Sequence, residues 1–201
     1  MSSHAPLPGH PAEDPAGLPE RHFGGPGNMF LSAADDPRGG LGHTGELAVL
    51  AAFLRDQRLT LELKCSGLDA DALARRPVPP SNLSLLGLVR HLAHVEQSWF
   101  RRILAGQDVP YLYRTEADRD TDFNGAVADP QVVAEAWRTW RAEVANAERY
   151  VAAGPDLASS VPHGGKRVTV REVLVHMIEE YARHNGHADL LRERIDGRVG
   201  E

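Results

Sequence analysis

His176, Glu180 and His184 follow one another at four-residue steps in His176-Met-Ile-Glu-Glu-Tyr-Ala-Arg-His-Asn-Gly-His187, which holds no helix breaker before Gly186. On a helix that spacing puts the three side chains on one face. An upstream segment, Leu85-Leu-Gly-Leu-Val-Arg-His-Leu-Ala-His-Val-Glu96, also has helical spacing and offers His91 and His94. If the two helices pack side by side, one of these histidines completes a set of two imidazole nitrogens and a carboxylate oxygen. Such a set suits a catalytic divalent metal, because it leaves positions open for water or substrate.

An unpaired imidazole in a helix seam costs roughly 1–3 kcal/mol, so each of these histidines needs a hydrogen bond or a metal. A carboxylate one turn earlier raises that cost unless a cation neutralises it. The same residues also fit an ordinary surface network, with Glu180 paired to Arg183 or to protonated His184 and with His176 facing solvent. His187 is a third ligand, a support behind a ligand, or a substrate contact; His94 shares the latter roles. Arg90 and Arg183 adjoin the candidate ligands and suit an anionic substrate, or else extend into solvent as most surface arginines do. Cys65, the only cysteine, falls on an apolar stripe and reads as core rather than nucleophile.

The elements that must position these groups read as helices. The first spans about 45–66, with Leu47, Leu50, Leu54, Gln57, Leu61 and Cys65 at steps of three and four, and stops at Gly67. Asp69 caps a short turn of helix, and Arg76-Pro-Val-Pro-Pro-Ser-Asn82 forces extended chain. Ser84 caps a second long helix that reaches about Ala105 and carries the stripe Leu85, Leu88, Leu92, Val95, Trp99 and Ile103, so that His91 lies beside the seam and His94 farther round. Residues 107–128, with Tyr111 and Tyr113, form a long loop containing at most a turn of helix, suited to a lid or cleft wall. Asp129-Pro130 starts a third helix that ends near Gly154. After an irregular stretch from Pro155 to Arg167, Thr169 and Glu172 form a capping box for the last helix, whose inward stripe includes Val173, Met177, Tyr181, His184 and Ala188 and whose stop is Gly197.

Four amphipathic helices with long connections predict an all-α four-helix bundle with crossover connections over residues 43–201, and no alternating β-branched run is long enough for a sheet. Residues 1–42 form a disordered or loosely docked arm on this reading: the first forty hold half of the fourteen prolines and few large apolar residues, so burial cannot offset their ordering entropy. Met29, Phe30 and Leu31 are the arm's only apolar cluster and its candidate dock.

Basic residues number 22 against 28 acidic, a net charge of −6, and no concentrated basic face appears, which argues against nucleic acid as a partner. One cysteine excludes an intramolecular disulfide. Neither a signal sequence nor an apolar run of membrane-spanning length is present, so a cytoplasmic protein without a membrane partner is expected.

Leu88-Val-Arg-His-Leu-Ala-His-Val-Glu-Gln-Ser-Trp-Phe100 and Val175-His-Met-Ile-Glu-Glu-Tyr-Ala-Arg-His-Asn-Gly-His-Ala-Asp-Leu-Leu-Arg192 together resemble the DinB-like superfamily, in particular an actinobacterial branch of unknown function, over roughly residues 45–197. The resemblance implies a four-helix bundle in which a histidine of the second helix and two ligands four residues apart on the last helix hold a divalent metal. Carried onto this chain, the ligands are His91, Glu180 and His184. Many relatives have histidine at the Glu180 position, while the related mycothiol-dependent maleylpyruvate isomerases have glutamate there; relatives with Gly-Gln after the last ligand contrast with Gly186-His187 here. Those isomerases also carry a second, C-terminal domain that supplies a substrate arginine, which this chain is too short to include.

The expected activity is therefore that of single-domain relatives: metal-dependent transfer of a mycothiol-type thiol to a small electrophile. Zinc is the expected ion, with nickel, iron or manganese as alternatives. His187 or His94 would take the thiol proton or orient a ligand, and Arg90, Arg183, Tyr111 and Tyr113 would contact substrate. Relatives suggest a homodimer. The competing expectations are a hydrolase using the same ligands and a stress-related bundle with a structural metal or bound ligand but no catalysis.

Overall fold

Local sequence chemistry sets the ends of the helices. In the computed structural model, which describes residue 31, residues 36–39 and residues 41–200, α1 is Glu46–Cys65 and α2 is Ala70–Ala74, with the Asp69 carboxylate accepting from the Ala72 N–H. Helix α3, Leu85–Glu96, is capped by the Ser84 hydroxyl on the Gly87 N–H, and α4 is the single turn Thr121–Asn124. Helix α5, Pro130–Ala152, has the Asp129 cap and Pro130 in its first turn. Helix α6, Val170–Asp196, begins at the reciprocal Thr169–Glu172 capping box and ends at Gly197, whose φ of 77° is left-handed and favours glycine.

Two features depart from the sequence reading. The stretch after Pro155 holds a small antiparallel hairpin, β1 Ser160–His163 and β2 Lys166–Thr169, with Val161 opposite Val168. Its strands are four residues each, too short to give a sustained alternation, and the Gly164-Gly165 turn at positive φ closes it. The second long helix also does not stay α-helical: from Gln97 to Leu104 it widens to π-helix, and the Ala105 N–H reaches back five residues to the Phe100 carbonyl at 3.0 Å. Such widened turns recur at functional sites because they re-aim side chains without ending the helix.

The long helices α1, α3 with its π extension, α5 and α6 form the expected all-α bundle, α1 packing chiefly on α6 and α3 on α5. Leu54, Leu61, Leu88, Leu92, Leu174 and Met177 fill its centre, each at most 1% exposed. Cys65 is part of this core, and burial pushes its thiol up to about 12, which makes it unreactive.

A polar chain crosses the apolar interior. The Trp140 indole donates to the Tyr181 hydroxyl (2.8 Å), that hydroxyl donates to Glu96 Oε1 (2.8 Å), and Arg58 clasps both Glu96 oxygens (2.7 and 2.8 Å). One residue from each long helix takes part, all buried, so every hydrogen bond fixes one helix against another.

The expected arm falls largely outside the described residues, as do Met29 and Phe30. In its described part, the Gly39 N–H donates to Asp56 (3.1 Å) and Arg38 donates to Thr60 (3.2 Å), both on α1. No helix among the described residues is long and apolar enough to cross a membrane.

Tyr181→Phe removes an acceptor from Trp140 and a donor from Glu96, so a loss of about 1–3 kcal/mol is expected. Glu96→Ala should cost more, about 3–5 kcal/mol, because it strands the Arg58 guanidinium. Urea denaturation monitored by circular dichroism reads both; equal, negligible losses would show that the polar chain contributes nothing to stability.

Candidate metal centre and its cleft

Helix α6 presents Glu180 and His184 one turn apart, with Glu180 Oε2 at 3.4 Å from His184 Nε2. Helix α3 brings His91 to them, its ring 4.7 Å from the His184 ring between centroids. One ligand atom from each of His91, Glu180 and His184 lies within 4.8 Å of the other two. Ligands about 2.1 Å from a tetrahedral zinc stand roughly 3.4 Å apart, the spacing of the Glu180–His184 pair.

The donor chemistry fits a cation. His184 is 8% exposed, and burial, with smaller contributions from His91, His187 and Arg183, pushes its pKa down to about 3. It is therefore neutral near pH 7 and keeps a lone pair for coordination. Its Nδ1 faces His187 Nδ1 at 3.3 Å, leaving Nε2 toward Glu180. Glu180 also faces His176, at 3.7 Å from Nε2, so its neighbours are the two histidines of its own row rather than Arg183.

His91 is fixed by a residue with no sequence signal. Its Nδ1 lies 2.8 Å from Asp122 Oδ2, which leaves Nε2 free for the centre; a carboxylate behind a ligating imidazole sets its tautomer and raises its basicity. Phe123 stacks on the same ring at 5.2 Å. The α4 turn reaches α3 only because glycine stands at two contacts. A Cβ on Gly87 would lie 2.8 Å from the Phe123 ring, and one on Gly125 would lie 2.7 Å from Arg90 Nη2.

Arg90 and Tyr113, expected to contact substrate, are instead committed to holding this turn. The Arg90 guanidinium donates to the Asp122 and Thr121 carbonyls (2.9 and 3.1 Å), stands 3.6 Å from Glu135 and lies 3.9 Å above the Tyr113 ring. The Tyr113 hydroxyl donates to Glu135 at 2.7 Å, and burial pushes its pKa up to about 12. Arg183 is exposed and does not line the cleft beside the ligands.

That cleft, about 480 Å³, opens from His91 and is walled by His94, Trp99, Arg102, Tyr111 and Arg114. Burial lowers the pKa of His94, the nearby Asp122 charge opposing it, so its imidazole is neutral at pH 7 and can accept a proton. Two cations approach the Tyr111 ring, Arg102 at 3.8 Å and Arg114 at 5.7 Å from its centre. His187 sits behind His184, away from the cleft lining.

Sequence reasoning missed Asp122, Arg102 and Arg114. Arg102 carries a detectable signal, since His91, His94, Ser98 and Arg102 recur at steps of three and four on one helix face. Asp122 and Arg114 lie in the aperiodic loop, where spacing says nothing about contacts.

A family model described as mycothiol S-transferase matches residues 49–197. Among solved structures, a conserved protein from Enterococcus faecalis is similar with a TM-score of 0.54 and 17% sequence identity, over 76% of this chain and 98% of that one. At that identity the likeness is one of fold. No curated protein matches the chain.

The depressed His184 pKa fixes a pH dependence. Between its ordinary value of 6.5 and about 3, the unfolded chain binds a proton that the folded chain refuses. Chelator-treated protein should thus lose stability as pH falls through that window, and His184→Leu should flatten the slope. Denaturant midpoints measured from pH 7 to pH 4 check this; equal slopes would show that His184 is not held neutral by the fold.

Proposed function

The chain belongs to the mycothiol S-transferase family, a branch of the DinB-like superfamily, and on that premise we propose that it joins a mycothiol-type thiol to an electrophilic small molecule with the help of a divalent metal. The observation that carries this is the convergence of His91, Glu180 and His184, of which His91 also lines a cleft. A bundle with a purely structural ion has no need of open space beside its ligands.

In this reading His91, Glu180 and His184 hold the ion, zinc being the expected one because two imidazoles and a carboxylate suit it; nickel, iron and manganese accept the same donors. Such an ion, when bound, lowers the pKa of a nearby thiol so that thiolate exists at neutral pH. The protein's own groups do the rest. Asp122 and His187 orient the two imidazoles from behind. His94 accepts the thiol proton within the cleft, a role the sequence left open between His94 and His187. Tyr111 and Trp99 flank the acceptor and exclude water from the forming carbon–sulfur bond. On this reading the protein works in the cytoplasm, where low-molecular-weight thiols are kept reduced.

Elemental analysis of purified protein should find about one divalent ion per chain, lost in His184→Ala and in His91→Ala. Asp122→Asn should weaken metal affinity about 10- to 100-fold. Conjugation of mycothiol to the neutral acceptor 1-chloro-2,4-dinitrobenzene should stop on chelation and return with added zinc. Full activity in metal-free protein would overturn the proposal.

A further inference from the structure

Arg102 and Arg114 are the two arginines that line the cleft. Arg58, Arg90, Arg101, Arg141, Arg171 and Arg192 are each ion-paired to a carboxylate. Among the described residues neither Arg102 nor Arg114 is; both are gathered against Tyr111 on the wall of the cleft. The protein carries a net charge of −6, yet among the described residues no acidic side chain lines that cleft. Among the described residues the buried Ser98 Oγ, on the same wall, has no hydrogen-bond partner. Buried donors and acceptors are normally satisfied, so this hydroxyl is a polar group beside the cleft that still lacks a partner.

We infer that Arg102 and Arg114 form an anion-binding subsite that selects acceptors bearing a carboxylate. Guanidiniums match a planar carboxylate through paired N–H donors, and Trp99, Ile103 and Tyr111 line the cleft beside them. A mycothiol-type thiol carries no carboxylate, so a carboxylate bound here belongs to the acceptor. The assignment of the anion to the acceptor rests on the thiol-transfer function proposed above; the subsite itself rests on the cleft alone.

The test compares binding of two unreactive probes of one shape, 3,5-dinitrobenzoate and 3,5-dinitrobenzamide, to zinc-loaded protein by isothermal titration calorimetry. The carboxylate should bind about tenfold more tightly than the amide, the effect of a charge-assisted hydrogen bond. In the Arg102→Gln, Arg114→Gln double variant the ratio should fall to about one, with zinc content and thermal midpoint checking that the fold and centre persist. Arg102→Lys should keep part of the preference, because the charge survives without the fork. Equal affinities in the unaltered protein, or a preference that survives in the double variant, would overturn the subsite. Failure of thiol transfer to the neutral chlorodinitrobenzene is a separate result, since that acceptor has no carboxylate and these probes need no chemistry.

Discussion

A single buried carboxylate organises this bundle. Glu96 is fully buried and would be prohibitively costly alone, so it constrains what surrounds it: the Arg58 guanidinium on two oxygens and the Tyr181 hydroxyl on one, with Trp140 donating to that hydroxyl in turn. Apolar packing tolerates sliding of one helix along another, whereas these hydrogen bonds do not. Glu96 lies just over one turn beyond His91 on α3, and Tyr181 lies between Glu180 and His184 on α6. The register that satisfies the carboxylate is thus the register that brings the three candidate ligands together.

The outer side of the centre is fixed by different means. Here the supporting element is one turn of helix in a long loop, too short to be stable by itself. It is held because Arg90 ties its carbonyls to α3 and because Gly87 and Gly125 allow close approach. What that turn delivers is the Asp122 carboxylate behind His91. An arginine and a tyrosine that look like substrate contacts in sequence are consumed in this scaffold, and the cationic wall of the cleft comes from other arginines, one on the π-helical segment and one in the loop.

The distribution of charge connects this architecture to the proposed chemistry. The protein is acidic overall, but its acidic groups near the centre face inward toward histidines and arginines, and the open cleft is left with imidazoles, guanidiniums and aromatic rings. Such a surface stabilises negative charge, whether on a thiolate or on a carboxylate-bearing acceptor. His184 and His94 are both kept neutral by burial, one with a lone pair for a cation and one with a lone pair for a proton.

The sequence by itself determined the helices, their caps and stops, and the row of Glu180 and His184, because these depend on neighbours three or four residues away. It also identified the segments that resemble the DinB-like superfamily, and with them His91. It could not show the hairpin, whose strands are too short to register as a period, nor the widening of the second helix after Glu96. Contacts across long sequence separations were decided only by tertiary structure: Asp122 behind His91, Arg58 on Glu96, and Arg102 beside Arg114 around Tyr111. The physical reason is that a side chain's type limits what it can bond, but only the packed backbone determines which partner lies within reach.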